Sequence, residues 1–409
     1  MIKKIKKKVA IVGAGASGLA SAILLKRQGI EVEVFEKEKD SLKKLAATGN
    51  GRCNFTNVNI GKDNYIGDEK LVDIAIKFTY EDDIDFFASL GVLSQRLESG
   101  RVYPSSMSGA SIIFSLKNEA KDLDIKIHQD VEIRKIEKKG DFFHLYGDRD
   151  YFFDLVVLAT GGREGIRKKT FSNGYELAKS FGHSISPISY GICPLEIVEI
   201  EAVKDLAKIK QKAKLTLLVE GEEKASYIDD LLFTDYGISG TSVFQLSNKA
   251  IFFANKNLDV KFSIDLMPDY NRDFLVNHIE NNLRKSRKKT LADIISSFLD
   301  VRIGENIARR IHSEKKAGKN YDKRDIIRAV DLIKMGVLTY KSPRKGQISQ
   351  GGVKADEIKT SLESKLVPNL FFTGELIDVQ GDCGGYNLHW AWASAHKCSE
   401  SILKKISLV

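Results

Sequence analysis

The chain contains 409 residues, of which 43% are hydrophobic and 29% are charged, and this composition predicts two or three packed domains. No apolar stretch approaches the roughly 20 residues that cross a bilayer, and the lysine-rich start leads into a core strand, so we expect a cytoplasmic protein without a membrane partner. The cysteines at 53, 193, 383 and 398 form no CxxC pair and have no metal-ligand spacing, which predicts reduced thiols and no metal site.

The formal net charge is +9, and most of it comes from lysines that are spread along the chain. A local basic cluster at residues 284–289 has no aromatic residues between its charges, which favours a solvated helix face over a surface that stacks bases. We therefore expect no nucleic-acid partner, and a modest attraction for anionic small-molecule substrates.

The first predicted element is a β-branched apolar strand that runs into a GxGxxG turn and an alanine-rich helix. Gly13 allows the tight turn, Gly15 lets a pyrophosphate approach the backbone, and Gly18 lets the helix pack against the strand. Ala16 and Ser17 open the helix, whose N-terminus would face the phosphates. The segment therefore predicts a dinucleotide-binding site.

A second predicted strand, residues 31–35, ends at Glu36. This carboxylate lies roughly 20 residues beyond the glycines, where an acidic side chain binds ribose hydroxyls; the alternative is a solvated acid at a strand end. The next feature is a glycine- and amide-rich loop at residues 45–57, which has neither helical nor strand periodicity. Loops of this composition commonly bind a ligand, so we expect this one to contribute to the same site.

The middle of the chain alternates between helical and strand patterns. Apolar spacing predicts helices within residues 71–90 and near 108–121. Residues 125–136 and 141–146 are predicted to form a hairpin around a Lys-Lys-Gly turn. Residues 154–162 form an apolar run that ends on two glycines, a pattern typical of a buried parallel strand, and we expect this strand to join the nucleotide-binding sheet.

Beyond residue 190 the sequence pattern changes first to short strands and then to helices, before it returns to the α/β type of the N-terminal part. Short β-type runs at residues 191–265 predict a β-rich insertion, and helical periods at 266–345 predict a helical subdomain. Residues 346–409 contain a buried strand and a long terminal helix. The sequence therefore predicts an α/β fold whose nucleotide-binding domain is discontinuous and consists of residues 1–190 and 346–409.

Four separated motifs make the chain similar to the BaiN/RdsA family, also called YhiN-like, of NAD(P)/FAD-dependent oxidoreductases. The motifs are GAGASG at 13–18, TGNGRCNFTN at 48–57, GRVYP at 100–104, and GELIDV through GGYNL at 374–388. The resemblance implies tightly bound FAD, a Rossmann-like FAD-binding domain, and an inserted β-barrel-like plus helical domain. One position departs from the family pattern, because His389 stands where a Gln precedes Trp-Ala-Trp.

FAD needs a pyrophosphate site, an adenosine pocket and an environment for the flavin ring, and the residues predict how these tasks are divided. Glu36 and Lys37 would bind the adenosine, and the backbone amide and carbonyl of Val131 would pair with the adenine edge, unless Val131 is a plain sheet position. Arg52 and Asn54 would meet the pyrophosphate or the ribityl chain, because a guanidinium forms bidentate bonds with phosphate oxygens. The alternative for Arg52 is a role in stabilising its own loop.

Two strand ends and one helix complete the expected cofactor site. Thr160-Gly161 and Gly374-Glu375 end buried strands, where a side chain larger than glycine would collide with the nucleotide. The helix that opens at residues 385–388 would point its free amides at flavin N1 and O2 and stabilise the anionic reduced form. The expected cofactor-binding residues are Gly13, Gly15, Ala16, Ser17, Gly18, Glu36, Lys37, Arg52, Cys53, Asn54, Val131, Thr160, Gly161, Gly374, Glu375, Gly385, Tyr386, Asn387 and Leu388.

Arg101, Tyr103 and Tyr386 are the candidate catalytic residues on the substrate side of the flavin, as a proton donor or as holders of an anion or a carbonyl. Each has a structural alternative, because buried tyrosines usually satisfy hydrogen bonds. His389 and His396 share one face of the terminal helix, but a metal site would need further ligands that the sequence does not contain.

These motifs predict an FAD-dependent oxidoreductase that reduces a small enone-like substrate with electrons from NAD(P)H. The sequence has no second GxGxxG fingerprint, so a nicotinamide would have to visit a shared cleft. The alternatives are an FAD-dependent oxidase of a small amine, a tRNA-modifying flavoenzyme and a non-catalytic flavin-binding redox sensor.

Overall fold

The computed structural model describes residues 7–163, 173–285, 288–312 and 321–407. The chain divides into two compact units. The first unit consists of Met1–Ser189 together with Gln347–Val409, and the second of Tyr190–Gly346. The first unit is therefore built from two separate stretches of sequence.

The secondary structure is numbered along the chain. The strands are β1 (Lys8–Val12), β2 (Glu31–Phe35), β3 (Thr56–Asn57), β4 (Tyr65–Gly67), β5 (Ser94–Arg96), β6 (Arg101–Pro104), β7 (Lys126–His128), β8 (Lys135–Lys139), β9 (Phe142–Tyr146), β10 (Asp150–Phe153), β11 (Leu155–Leu158), β12 (Ser189–Gly191), β13 (Leu195–Ile197), β14 (Lys210–Val219), β15 (Glu222–Phe233), β16 (Gly237–Ser239), β17 (Val260–Asp265), β18 (Gly336–Pro343), β19 (Ile348–Gln350), β20 (Leu370–Phe372) and β21 (Val379–Gly381). The α-helices are α1 (Ala16–Arg27), α2 (Lys43–Ala47), α3 (Glu69–Lys77), α4 (Tyr80–Ser89), α5 (Gly109–Asp122), α6 (Gly174–Ser180), α7 (Thr241–Ala254), α8 (Arg272–Lys285), α9 (Leu291–Ile295), α10 (Val301–His312), α11 (Lys323–Met335) and α12 (Tyr386–Ser407).

A parallel sheet with strand order β20-β11-β1-β2-β7 forms the core of the first unit. Val12 of β1 lies opposite Leu158 of β11 on one side and Phe35 of β2 on the other. The apolar residues of β1 are buried, as expected for a strand that is covered on both faces. The carboxyl ends of β1, β11 and β20 therefore meet at one edge of the sheet, where open α/β folds bind their ligands.

The first unit also contains antiparallel sheets with the orders β10-β9-β8, β3-β6-β5 and β21-β4. β8 and β9 form the predicted hairpin, but the strand predicted at residues 125–136 is in fact two strands. The reason is a turn at Asp130, which has a φ of +61°. The residues before this turn form β7 of the parallel sheet, and those after it lead into β8.

The second unit contains a closed barrel with the order β13-β16-β15-β14-β17-β18. Its core is apolar, and Leu215, Leu217 and Phe262 are completely buried. β18 closes the barrel by pairing with β17 and with β13. This strand comes from the range predicted to be helical, because α11 runs into β18 at Gly336 without a loop that would mark the boundary.

The parallel sheet and the barrel with its helices confirm the predicted α/β class, with a Rossmann-like domain and an inserted domain. Within the described ranges, no helix combines the length and the apolar composition that a membrane span requires.

Candidate cofactor and active site

The glycine-rich turn connects β1 to α1, and its three glycines differ in their surroundings. A Cβ on Gly13, whose φ is +107°, would lie 2.5 Å from the Ala159 carbonyl oxygen, and a Cβ on Gly18 would lie 2.0 Å from that of Gly13. A Cβ on Gly15 would meet no described atom within 4 Å, and the φ of Gly15 is −79°, which suits any residue. The fold itself therefore requires Gly13 and Gly18, whereas Gly15 borders open space at the N-terminus of α1.

Glu36 follows β2, and its carboxylate is bonded to the glycine-rich turn. Its Oε2 accepts a hydrogen bond from the Ala14 N–H (2.8 Å), and its Oε1 accepts one from the Glu38 N–H (2.9 Å). Burial raises the pKa of Glu36 above its ordinary value, while the two N–H donors act in the opposite direction. These bonds orient the carboxylate next to the predicted phosphate site.

Lys37 and Val131 are the other residues expected near an adenosine. Lys37 follows Glu36 directly and is partly buried. The Val131 N–H donates a hydrogen bond to the Glu36 carbonyl (2.9 Å). This amide is therefore used within the fold, contrary to the expected pairing with an adenine, and only the Val131 carbonyl is left for that role.

The ends of β11 and β20 meet the first turn of α1. Thr373 Oγ1 donates a hydrogen bond to Ser17 Oγ (3.2 Å), and a Cβ on Gly374 would lie 2.6 Å from the same Ser17 oxygen. Gly374 has a φ of +68°, which favours glycine for a second reason. Strand β20 can therefore approach α1 only because residue 374 has no side chain.

Thr160 and Gly161 follow β11 and have different neighbours. A Cβ on Gly174 would lie 1.8 Å from the Thr160 hydroxyl, and this hydroxyl has no hydrogen-bond partner among the described residues. Gly161 has a φ of +71°, and the nearest atom to a Cβ placed there is Oε2 of Glu375 at 3.9 Å. Gly161 therefore leaves more room at this edge of the sheet than Thr160 does.

Glu375 connects three segments through its carboxylate. Its Oε1 accepts a hydrogen bond from the Ser349 N–H (2.8 Å), and its Oε2 accepts from the Gly162 N–H (3.2 Å) and the Lys44 ammonium (2.5 Å). The side chain is thus fully used within the protein. Only the backbone of Gly374 and Glu375 is left for the predicted contact with the cofactor.

We expect Glu375→Ala to lower the free energy of unfolding by about 2–4 kcal/mol, because it leaves an ammonium and two N–H groups without their acceptor. The control is Glu400→Ala, which removes an exposed partner of Lys397 and Lys404 and should cost about 0–1 kcal/mol. Urea denaturation of both variants measures the difference. Equal losses in the two variants would contradict the connecting role of Glu375.

The loop between α2 and β3 contains several left-handed residues. Gly49, Asn50 and Cys53 have φ values of +57°, +55° and +58°. Such strain in residues other than glycine tends to occur at functional sites. Asn54 is 7% exposed, and its Oδ1 has no hydrogen-bond partner among the described residues. A buried oxygen in this state costs about 1–3 kcal/mol, which a ligand donor would offset.

Arg52 packs over an aromatic ring instead of pointing freely from this loop. Its guanidinium carbon lies 5.2 Å from the ring centroid of Tyr103, and its Nε donates to the Gly49 carbonyl (3.3 Å). Tyr103 is 3% exposed. The structural role considered for Arg52 is therefore present, and the Tyr103 ring supports it.

We expect Cys53 to resist alkylation by iodoacetamide in the native protein at pH 8. Burial raises the pKa of its thiol to about 12, so only about one thiol in ten thousand is ionised at that pH. Cys383 is only partly buried and serves as the accessible comparison. Peptide mass spectrometry after a timed reaction measures both residues, and rapid native labelling of Cys53 would contradict this expectation.

The last sequence motif packs against the loop at residues 48–57 through Gly385. A Cβ on Gly385 would lie 2.6 Å from the Thr56 carbonyl oxygen and 3.1 Å from Asn54 Oδ1. Gly385 has a φ of +102°. The positive φ and the lack of a side chain therefore allow α12 to begin directly beside the unpartnered Asn54 oxygen.

Arg101 of β6 lies beside the same turn. A Cβ on Gly384 would lie 3.7 Å from Arg101 Nε and 3.4 Å from the Tyr386 ring, and the Asn57 amide donates to the Gly384 carbonyl (2.8 Å). Among the described residues, the Arg101 guanidinium has no ion pair or hydrogen bond. The fold therefore brings together Arg101 and Tyr386 and leaves the guanidinium available to hold an anion or a carbonyl.

The remaining residues of the turn have mixed roles. The Tyr386 hydroxyl donates to the Asn59 carbonyl at 3.4 Å, which is a long bond. The Asn387 side chain donates to the Gly381 carbonyl (2.7 Å) and accepts from its N–H (2.9 Å), so it supports the preceding turn. The N–H groups of Asn387 and Leu388 lie in the first turn of α12 and have no intrahelical acceptor. Only these backbone groups suit the predicted flavin contact.

Sequence reasoning missed a buried polar network behind this turn, formed by Tyr65, Asp83 and His389. Asp83 is completely buried although it stands in an acidic run at the start of α4. A signal was present, because Phe86 and Phe87 follow Asp83 at helical spacing and place it on the apolar face. The sequence identified His389 as a departure from the family pattern and as sharing a helix face with His396, but not as a partner of Asp83. No described group of three or more His, Cys, Asp or Glu residues is arranged to hold a metal ion.

The comparisons with known proteins agree on one family. The HI0933-like protein Rossmann domain family matches residues 7–401. The chain belongs to this family. A 3-dehydro-bile acid delta(4,6)-reductase of Clostridium scindens is 30% identical over 95% of this chain and 97% of that protein. A ribosomal RNA dihydrouridine synthase of Haemophilus influenzae is 29% identical over 97% of this chain and 98% of that protein.

A solved structure shares the fold of this HI0933-like protein. The 3-ketosteroid delta1-dehydrogenase of Sterolibacterium denitrificans has a TM-score of 0.52 at 10% identity, covering 98% of this chain and 100% of that one. The protein is an FAD-dependent oxidoreductase, and the predicted family and cofactor are confirmed. The open space at Gly15, the Glu36 carboxylate and the unpartnered Asn54 oxygen fit the needs of FAD.

Proposed function

We propose that this flavoenzyme reduces a carbon–carbon double bond that is conjugated to a carbonyl group in a small organic molecule. The names of the two full-length relatives support this reaction class. A 3-dehydro compound with delta(4,6) unsaturation has its double bonds conjugated to the 3-oxo group. Dihydrouridine is uridine whose C5–C6 double bond, conjugated to the C4 carbonyl, has been reduced. The two substrates thus share one reactive group.

The observation that carries the proposal is the Arg101 guanidinium, which has no described partner and lies beside the turn that opens α12. Bound FAD, once reduced by NAD(P)H, would supply the hydride for such a reduction. The hydride is added to the β carbon, and negative charge then develops on the carbonyl oxygen. Arg101 would hold this oxygen and stabilise the charge, because preformed donors act most strongly where charge appears in the transition state.

The reaction also needs a proton at the α carbon of the substrate. Tyr386 is our candidate donor, since its ring adjoins Gly384 together with Arg101 and its hydroxyl, an O–H donor, lies 3.4 Å from the Asn59 carbonyl oxygen. Tyr103 is buried beneath Arg52, so we assign it a supporting role. We keep the other cofactor-binding residues predicted from the sequence in this proposal. At Val131, Glu375 and Asn387, only the backbone groups are proposed to contact the cofactor.

The electron donor in this proposal is NAD(P)H, which would reduce the flavin in the same cleft, since the sequence contains no second nucleotide fingerprint. A cytoplasmic location also stays part of the proposal, supported by four cysteines without disulfides.

RNA is the second candidate substrate. The sequence alone predicted no nucleic-acid partner. We do not include that prediction in the proposal, because relatives in Haemophilus influenzae and Escherichia coli are both named ribosomal RNA dihydrouridine synthases. The net charge of +9 favours contact with a polyanion. We favour a small-molecule substrate over RNA, because the bile-acid reductase has a slightly higher sequence identity to this chain, 30% against 29%.

Anaerobic spectroscopy tests the proposal in two steps. Flavin bleaching by NADH or NADPH is expected first, and reoxidation by a steroid 4-en-3-one with formation of the saturated ketone is expected second. Unmodified ribosomal RNA is the parallel substrate, and a mass increase of uridine would favour RNA. Bleaching by small amines followed by reoxidation with oxygen, without any effect of either conjugated substrate, would overturn the proposal in favour of an amine oxidase.

A further inference from the structure

His389 is a fully buried side chain in the first turn of α12 that contacts three other elements. Its Nε2 donates to the Ala75 carbonyl in α3 (2.8 Å), and its Nδ1 lies 2.5 Å from Asp83 Oδ2 in α4 and 3.2 Å from Thr56 Oγ1 in β3. Neither His389 nor Asp83 has exposed surface. A single imidazole therefore connects the start of α12 to β3, α3 and α4.

The contacts determine how many protons the pair of His389 and Asp83 holds. A carbonyl only accepts, so Nε2 carries a proton. Nδ1 and Asp83 Oδ2 are 2.5 Å apart, and two lone pairs would repel at this distance, so a second proton lies between them. Burial lowers the His389 pKa, but the Asp83 carboxylate and the backbone acceptors outweigh this effect and raise it. The ring is thus held by hydrogen bonds at both nitrogens.

These contacts act on the turn that faces the proposed flavin site. The His389 N–H donates to the Gly385 carbonyl (2.9 Å) and closes the first turn of α12. The Tyr65 hydroxyl donates to the Tyr386 carbonyl (3.1 Å) in the same turn, and Asp83 is among the charged groups that act on Tyr65. The buried network therefore supports the backbone of the turn in which the N–H groups of Asn387 and Leu388 have no intrahelical acceptor.

We propose that His389, fixed by Asp83, is a positioning residue for the flavin, because it holds the first turn of α12 so that the backbone N–H groups of this turn face the flavin pyrimidine. This inference rests on the proposed location of the flavin at α12, and it does not depend on which substrate is reduced. The N–H groups and the positive end of the helix favour the negative charge of reduced flavin. Loosening the turn therefore lowers the reduction potential of bound FAD.

A purely structural role for His389 predicts a different result. If His389 were only structural, its loss would lower the stability of the protein without changing the flavin potential. Stability alone is a poor guide here, because a buried ion pair adds little net stability compared with apolar residues of the same volume. His396 is the matched control, about two turns further along α12. Its ring contacts Phe78 and Phe86, its Nε2 has no hydrogen-bond partner among the described residues, and burial lowers its pKa to about 4.

The test compares His389→Gln with His396→Gln in the FAD-loaded protein, with no substrate present. A glutamine amide at position 389 can donate to the Ala75 carbonyl or to Asp83, but it cannot span both. The midpoint potential is measured by slow enzymatic reduction against a reference dye, together with thermal unfolding. His389→Gln should shift the equilibrium toward oxidised flavin at least tenfold, which is about 30 mV for two electrons. His396→Gln should keep the wild-type potential even where its Tm falls.

Two Asp83 variants extend the test. Asp83→Asn places an amide donor opposite Nδ1, so a neutral imidazole keeps both bonds and the potential should stay at the wild-type value. Asp83→Leu removes the partner of His389 and should lower the flavin potential as His389→Gln does. If His389→Gln does not fold, Asp83→Leu provides the measurement instead. A wild-type potential in His389→Gln, or an equal shift in His396→Gln, would overturn the inference. Failure to reduce either conjugated substrate counts against the proposed function alone.

Discussion

Replacing Gly15 with valine is expected to abolish FAD binding while leaving the fold intact. A Cβ at this position meets no described atom within 4 Å, and the φ of −79° is open to any residue, so the protein itself tolerates a side chain. The valine would instead occupy the space at the N-terminus of α1 that a pyrophosphate needs. We expect the affinity for FAD to fall at least about a hundredfold, or about 3 kcal/mol.

The FAD content of the purified variant and a fluorescence titration with added FAD measure this effect, and circular dichroism measures the fold. Gly61→Ala is the matched control. The φ of Gly61 is also negative, at −155°, and a Cβ placed there would meet only one described atom within 4 Å, Asn64 Oδ1 at 3.6 Å. Gly18→Ala provides the opposite case, since its Cβ would lie 2.0 Å from the Gly13 carbonyl oxygen and should disrupt folding. Wild-type FAD occupancy in Gly15→Val would refute this assignment of the phosphate site.

Replacing Arg101 with methionine is expected to lower kcat/KM for a conjugated carbonyl substrate by about a hundredfold to a thousandfold, the usual effect of losing one donor to a developing oxyanion. The FAD content should remain at the wild-type level, because Arg101 is assigned to the substrate and not to the cofactor. Arg101→Lys should recover only part of the rate, since an ammonium does not reproduce the planar donor geometry of a guanidinium.

Arg96→Met is the control for Arg101. Arg96 lies on the neighbouring strand β5, and its guanidinium carbon is 4.9 Å from the ring centroid of Tyr80, so the variant removes a similar charge from the same sheet. Stopped-flow measurement of flavin reoxidation separates the substrate step from reduction by NAD(P)H. If Arg101→Met reoxidised at the wild-type rate, or if Arg96→Met were equally slow, Arg101 would lose its assigned role.

The pairing of His389 with Asp83 differs in kind from these two predictions. Gly15 and Arg101 are assigned to direct contact with the cofactor or the substrate, whereas His389 acts through the backbone of α12. Its effect on the flavin potential is therefore expected to be smaller than the loss of binding or of rate. The potential is nonetheless the informative measurement, because the removal of a merely structural residue would leave it unchanged.

The sequence by itself determined the parts of the fold whose causes are local. Gly13 has a φ of +107° and Gly18 packs against the Gly13 carbonyl oxygen, so both of these requirements are local and their spacing predicted the turn between β1 and α1. The apolar runs of β1 and β11 predicted buried parallel strands, since a strand covered on both faces needs apolar residues throughout. The family motifs then identified the flavoenzyme class, because they extend along nearly the whole chain.

Only the tertiary structure decided which side chains remain available for chemistry. Arg52 and Arg101 stand in comparable motifs, but one packs over Tyr103 and the other has no described partner. Glu375 accepts a bond from Lys44, 331 residues away, and His389 pairs with Asp83 across 306 residues. Pairs of this kind are made by the approach of distant elements, so no spacing or periodicity in the sequence records them. The same reason explains why β18 was not predicted, since its strand character depends on β13 and β17 as partners.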